Sequence, residues 1–282
     1  MDNASALRRQ LLAELRRLRP PHVVTQKQVA DALDWSPSKV TRIENGSVSL
    51  SVTDLRALLA YYGVTDSGVV NGLVDLARRS RRARSPFAAF GDVFSPDALR
   101  FFDYEHSATW IGSIELLVVP GLLQTEHYAR TVMGVHGVGA ERVERFVSSR
   151  RVRQEVLSRP DPPTLSFILD ESVLLRAIGG RAVMRAQLEH LLEAAARPNV
   201  EIRIIPLALG EHVGLRGPFV LLRFSGTKDP DVVYIEQRRG DAIFQDELEV
   251  ITNHGRLFTE LEKRAASPDD LSAYVKRAID RL

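Results

Sequence analysis

Leu7, Leu11, Leu15 and Leu18 recur at steps of three and four residues, with Arg8, Arg9, Arg16 and Arg17 on the other side. That spacing predicts an amphipathic first helix. Pro20 and Pro21 end it, because neither can donate an amide and Pro20 restricts Arg19 before it. Thr25 offers a capping hydroxyl to a second helix in which Val29, Ala30 and Leu33 share a face. Ser36-Pro37 is a second start signal, a cap followed by proline at the first helical position. This third helix runs to about Asn45-Gly46, where glycine supplies the left-handed stop. A fourth helix opens at Ser51 or Thr53 and runs through Leu55, Leu58 and Leu59 to Tyr62-Gly63, and a fifth covers 69–79.

Further along, the period changes. Leu165, Phe167 and Leu169 alternate with Ser166, Ile168 and Asp170, which predicts a strand over 164–170. Val200, Ile202 and Ile204 make another, stopped by Pro206; 219–224 and 232–236 are two more, parted by a turn-rich 225–230. Met184, Leu188, Leu191, Leu192 and Ala195 predict a long amphipathic helix, and apolar positions over 248–261 and 271–282 predict two closing ones. The expected fold class is a mainly α, five-helix N-terminal domain followed by a larger α+β domain.

A chain of 282 residues has room for about two domains. Five Arg between Arg78 and Arg84, then Ser85-Pro86, suggest where they part. The expected division is a first domain over 1–80, an Arg-rich linker over 81–86 and a larger second domain over 87–282. A charge run of this kind is a solvated linker or, more sharply, an arm that touches phosphates. Charge is uneven across that boundary. Residues 1–84 hold 14 Lys/Arg and 8 Asp/Glu, a net +6, whereas the remainder carries −4. A basic head on a mildly acidic body fits nucleic-acid binding by the head. The absence of cysteine excludes disulfides, thiolate zinc sites and cysteine nucleophiles. Apolar stretches such as 116–125 fall short of the ~20 residues of a membrane helix, and no apolar leader opens the chain, so a cytoplasmic location is expected.

Helix 25–33, a short turn and helix 37–45 have the spacing of a helix-turn-helix. At about 100° per residue, Val40 and Ile43 share one side of the third helix, while Ser38, Arg42 and Asn45 cluster opposite, flanked by Thr41 and Lys39. The outer half offers donors suited to phosphates and base edges and no carboxylate, and a major groove about 12 Å wide admits such a helix. Thr25-Gln26-Lys27-Gln28-Val29-Ala30 and the run from Trp35 to Ile43-Glu44-Asn45-Gly46 resemble the Xre/Cro-type helix-turn-helix of phage repressors and bacterial regulators. The resemblance implies phosphate contacts from Gln26 and Asn45, base-edge contacts from Ser38 and Arg42, and Lys39 and Thr41 beside them. With Ser36, the candidate DNA contacts are Gln26, Ser36, Ser38, Lys39, Thr41, Arg42 and Asn45. It also implies a structural ion pair between Glu44 and Arg19. The chain departs from the family at Asp34, where glycine is common, and at Pro20-Pro21, where the first helix usually continues.

The body carries a second resemblance. Tyr104-Glu105 with Ala108, Val119-Pro120-Gly121-Leu122-Leu123-Gln124-Thr125, Tyr128-Ala129, Arg150-Arg151, Arg153-Gln154, Leu169-Asp170-Glu171, Gln187-Leu188, Pro198-Asn199-Val200, Ile205-Pro206 and Val233-Tyr234-Ile235-Glu236 are similar to the domain that follows the Xre module in many actinobacterial regulators. These WhiJ-like proteins are often paired with a small partner protein and are sometimes described as antitoxin-like. Three roles for the body follow: dimerisation, which places two heads one helical turn apart on a pseudo-palindrome; sensing of a small-molecule effector; and docking of a small partner protein.

Catalysis is the less expected reading. Glu105, Glu115, Glu171, Glu211, His212 and Glu236 are the candidates, but no HExxH, paired histidines, phosphate loop or GxSxG accompanies them. Glu105 and Glu171 read better as buried carboxylates that cap helices or pair with Arg, and Glu211-His212 as part of a glycine-flanked loop. The expectation is a non-enzymatic, sequence-specific and dimeric DNA-binding transcriptional regulator that needs no cofactor or metal. The alternative is an antitoxin-like interaction module that uses its DNA head for autoregulation.

Overall fold

The computed structural model describes residues 4–20, 25–44, 46, 48, 50–83, 85–135, 137–225, 231–236, 242–245 and 247–282. The chain divides into two compact units, the first built chiefly from Met1–Ala89 and Leu99–Ser107, the second from Phe90–Ala98, Ala108–Ser225 and Asp231–Leu282.

The first unit contains α1 (Ala4–Leu18), α2 (Gln26–Leu33), α3 (Pro37–Glu44), α4 (Val52–Tyr61) and α5 (Ser67–Arg82). Most of α6 (Pro96–Ser107) belongs to it as well. Thr25 caps α2 with a full capping box, its hydroxyl accepting from the Gln28 amide while the Gln28 side chain takes the Thr25 amide. Ser51, rather than Thr53, caps α4. Leu7, Leu11 and Leu15 of α1 join Val29, Val40, Ile43, Leu55, Leu59 and Ala77 in one apolar core. The arginine run continues α5 through Arg82, where basic side chains suit the negative end of the helix dipole.

The second unit is α+β. Its strands are β1 (Trp110–Glu115), β2 (Thr164–Asp170), β3 (Val200–Ile205), β4 (Phe219–Arg223), β5 (Val232–Glu236) and β6 (Ala242–Gln245). They form a six-stranded sheet in the order β3-β2-β1-β4-β5-β6, parallel among β1, β2 and β3 and antiparallel from β4 onward. The pattern of alternation locates β2 to β5 but not β1, whose four middle residues are all buried. A strand covered on both faces need not alternate, and of β1 and β2 only β2 keeps an apolar row, Leu165, Phe167 and Leu169, in its sequence. The links between parallel strands carry α7 (Glu126–Gly134), α8 (Ala140–Gln154), α9 (Ser172–Leu175) and α10 (Arg181–Ala195). Across one sheet face, α11 (Leu248–Arg264) buries Ile251, Phe258 and Leu261 against Ile114, Ile168, Phe219, Leu221 and Val233. The closing α12 (Leu271–Arg281) packs beside α10 and β3.

Candidate nucleic-acid interface

The turn between α2 and α3 is made by Asp34, at φ 52° and ψ 44°, whose amide donates to the Ala30 carbonyl. Asp tolerates this left-handed conformation better than most residues with a Cβ, which is how the turn forms without glycine. Ser36 then accepts the Lys39 amide at 3.2 Å, and Pro37 occupies the first helical position of α3. The Ser36 hydroxyl also lies 3.1 Å from that of Ser38.

Burial orients α3. Val40 and Ile43 are buried, whereas Ser38 and Arg42 stand exposed on the other side. Arg42 uses Nε on the Ser38 carbonyl at 3.1 Å, which steadies its exposed guanidinium. Thr41 Oγ1 lies 3.2 Å from Gln26 Oε1 and 3.1 Å from the Pro37 carbonyl, within donating reach of both. Gln26 Nε2 donates to Glu44 Oε2 at 2.8 Å, and Arg19 Nη1 donates to Glu44 Oε1 at 2.6 Å. Arg16 adds a bond to the Glu44 carbonyl at 3.2 Å. A polar chain therefore runs Thr41–Gln26–Glu44–Arg19 and ties α1, α2 and α3 together. The Arg19 and Glu44 side chains are 22% and 19% exposed, between a surface pair and a buried one.

Lys39 is placed otherwise than a free phosphate contact would be. Its Nζ donates to Asp54 Oδ1 at 2.8 Å and lies 4.0 Å from the Trp35 ring centroid. Ser51 donates to the other Asp54 oxygen at 2.8 Å. Burial pushes the Asp54 carboxyl up, but the bonds from Lys39 and Ser51 and the Lys39 charge outweigh it and hold the group below the ordinary carboxylate range. Lys27, by contrast, stands exposed in the first turn of α2 beside Gln26. Sequence reasoning passed over it because a lone Lys on a polar face carries no pattern. Asn45 lies outside the described residues.

In the body, the resembling residues meet around the loop after β1. Tyr128 Oη accepts from the Val119 amide at 3.1 Å, and Gln124 Nε2 donates to the Val119 carbonyl at 2.6 Å. Gln154 reaches the Gln124 carbonyl at 2.7 Å, and Gln187 donates to the Leu123 carbonyl and accepts from the Thr125 amide, both at 2.7 Å. Arg150 donates to Gln124 Oε1 at 2.6 Å, and a Cβ on Gly121 would lie 2.9 Å from its guanidinium. These side chains satisfy the backbone groups of a buried, irregular segment. Glu171 does similar work, accepting the Leu207 amide at 2.9 Å, while Glu105 is buried on the part of α6 that belongs to the first unit. Glu115 is pushed up to about 8, first by burial and then by the charge of Glu236. His212 Nε2 lies 3.6 Å from Asp170 Oδ2, both side chains buried. Among the described residues, no three His, Asp or Glu side chains gather to hold a metal ion. Nor is any helix there long and apolar enough to cross a membrane.

The head defines the class. Residues 10–69 match a helix-turn-helix domain, and the protein is a helix-turn-helix, DNA-binding regulator in that coarse sense. Residues 99–277, well over half the chain, match the family described as Domain of unknown function (DUF5753), and the chain belongs to that family. No curated protein matches the chain, and neither does any solved structure.

Proposed function

We propose that this protein is a cytoplasmic, homodimeric regulator of the Xre, WhiJ-like kind that reads a pseudo-palindromic operator through α3. Residues 1–80 serve as the DNA-binding domain, 81–86 join it to the body, and 87–282 dimerise and receive an effector or a small partner protein. The observation that carries the reading is the orientation of α3, with Val40 and Ile43 sunk in the core and Ser38 and Arg42 exposed opposite them. Ser38 and Arg42 read base edges, while Gln26, Thr41 and Asn45 set the register on the backbone. Ser36 and Lys39 act chiefly by holding α3 in place, and Lys27 takes the phosphate contact that Lys39 is not free to make.

A footprint of the full chain on the DNA upstream of its own gene, at about physiological salt, tests this. Protection of two half-sites about 10 bp apart is the expected result. Binding that appears only at low salt, without a protected site, would refute it.

One observation favours the partner-binding alternative. Leu117, Leu207 and Leu215 are 63%, 52% and 60% exposed, in loops at the carboxyl end of the parallel strands. Three large apolar side chains on one end of a sheet suit a protein partner better than water.

A further inference from the structure

The other end of the body carries a cleft of about 520 Å³ between the end of β4 and the outer face of α11. That volume is in the range of small-ligand sites. Arg223, Arg256 and Lys263 line it with Thr252, Thr259 and Gly255, and Glu260 is the one carboxylate in the lining. Glu260 is drawn toward Arg264, 3.8 Å away on the next turn, so the cleft presents an excess of positive charge. Among the described residues, no carboxylate pairs with Arg256 or Lys263.

Two features show that the lining is arranged beyond what helix α11 itself requires. The Arg223 guanidinium lies 4.2 Å from the Trp110 ring centroid, and its Nε is 3.6 Å from Asp231 Oδ2. The indole is in turn fixed edge-on against Phe258 at 5.2 Å and folded over Gly112, where a Cβ would meet it at 2.2 Å. One cation of the cleft is therefore preset rather than free to wander. The second feature is Gly255, in the middle of a 17-residue helix. A Cβ there would meet nothing within 4 Å, so packing does not call for glycine, and glycine weakens a helix interior. What its absence provides is close approach to the helix backbone from the cleft side.

We propose that this cleft binds a small phosphorylated polyanion of about nucleotide size, held by Arg223, Arg256 and Lys263 with its body against Gly255. Guanidinium groups match phosphoryl oxygens in geometry and charge, and the lysine adds a mobile point charge. The inference deepens the effector reading above, and it is tested by binding measured without DNA, so the two fail separately.

The test is calorimetric titration of the full chain with inorganic pyrophosphate and with ATP at about physiological ionic strength. Saturable binding with one site per chain is expected. The double variant R256Q/K263Q should weaken it at least about tenfold, a step equal to ~1.4 kcal/mol. Gly255→Ala should weaken it comparably while raising the melting temperature, since alanine favours the helix and its methyl has room. Loss of binding in a more stable protein cannot be ascribed to misfolding. Absence of saturable uptake of both probes, or unchanged affinity in both variants, would overturn the proposal. So would a result in which the double variant loses affinity for a short DNA duplex and the wild type takes up neither probe, which would make the cleft a DNA-backbone contact.

Discussion

Lys39 Nζ and Asp54 Oδ1 are 2.8 Å apart, joining α3 to α4. The Trp35 ring under the ammonium makes the clamp three-sided. The cation most central to α3 is thus used to hold that helix in place.

The clamp has a pH signature. The folded state holds the Asp54 carboxyl below its ordinary value, so its contribution is complete above the ordinary carboxylate range and is lost as pH falls through the folded value. Both side chains are partly exposed, which limits the contribution to under about 1 kcal/mol. Asp54→Asn should lower stability by up to that amount at about pH 7 and by nothing once acid has protonated the wild-type carboxyl. Urea denaturation at several pH values measures it, and a gap that persists in acid would count against the clamp.

Arg42→Ala should cost about 1–3 kcal/mol on the operator and relax preference at the bases it contacts. Competition with random duplex decides the role: equal loss on both would remove Arg42 from the base-reading residues. For Lys27→Gln the opposite pattern is expected. Affinity should fall on all DNA alike, and the slope of log K against log salt should drop by about 0.9.

Glu44 accepts from both Arg19 and Gln26, so Glu44→Ala removes the shared acceptor of two bonds at once. A loss of about 2 kcal/mol in stability is expected, in the range for hydrogen bonds to a charged group. A double-mutant cycle with Arg19 should return a coupling of about 1 kcal/mol or more; additivity within error would show that the pair contributes nothing.

Asp34 carries backbone strain that glycine would not feel. Asp34→Gly should raise stability by about 0.5 kcal/mol, and Asp34→Val should lower it by more than about 1 kcal/mol. Thermal melts of the two variants test the sign, and a Val variant as stable as wild type would place the strain elsewhere.

Glu115 titrates in the opposite sense from Asp54. Its folded pKa is about 8, above the ordinary 4.5, so it favours the folded state below pH 4.5 and that stability is lost as pH rises to about 8. Glu115→Gln, which copies the neutral acid, should match wild type at about pH 4 and exceed it at about pH 8–9. At ~1.4 kcal/mol per pKa unit the upper bound on that gain is about 4–5 kcal/mol, reduced by whatever water reaches the site. A stability difference that does not change with pH would refute the assignment.

Much of the head was legible because its signals are local. The Thr25 and Ser36 caps, the turn at Asp34 and the inward Val40 and Ile43 depend on residues within four positions of one another. The body was legible where strands alternate and where α10, α11 and α12 show a helical period. Trp110–Glu115 escaped because its apolar Trp110, Ile111 and Ile114 fall on both faces with no alternating row, and β6 is a short strand at the edge of the sheet.

The sequence by itself determined which segments are helical in the head, which side of α3 meets the core, and that a basic head precedes a mildly acidic body. These follow from periodicity, capping chemistry and charge, all short-range properties of the chain. Only the tertiary structure decided that Lys39 is committed to Asp54, that Gln26 is bound to Glu44, and that the Pro120–Thr125 run is held by Gln154 and Gln187. Those partners lie from 15 to more than 60 residues away along the chain, and a side chain's free valence is settled by whichever group folding brings beside it.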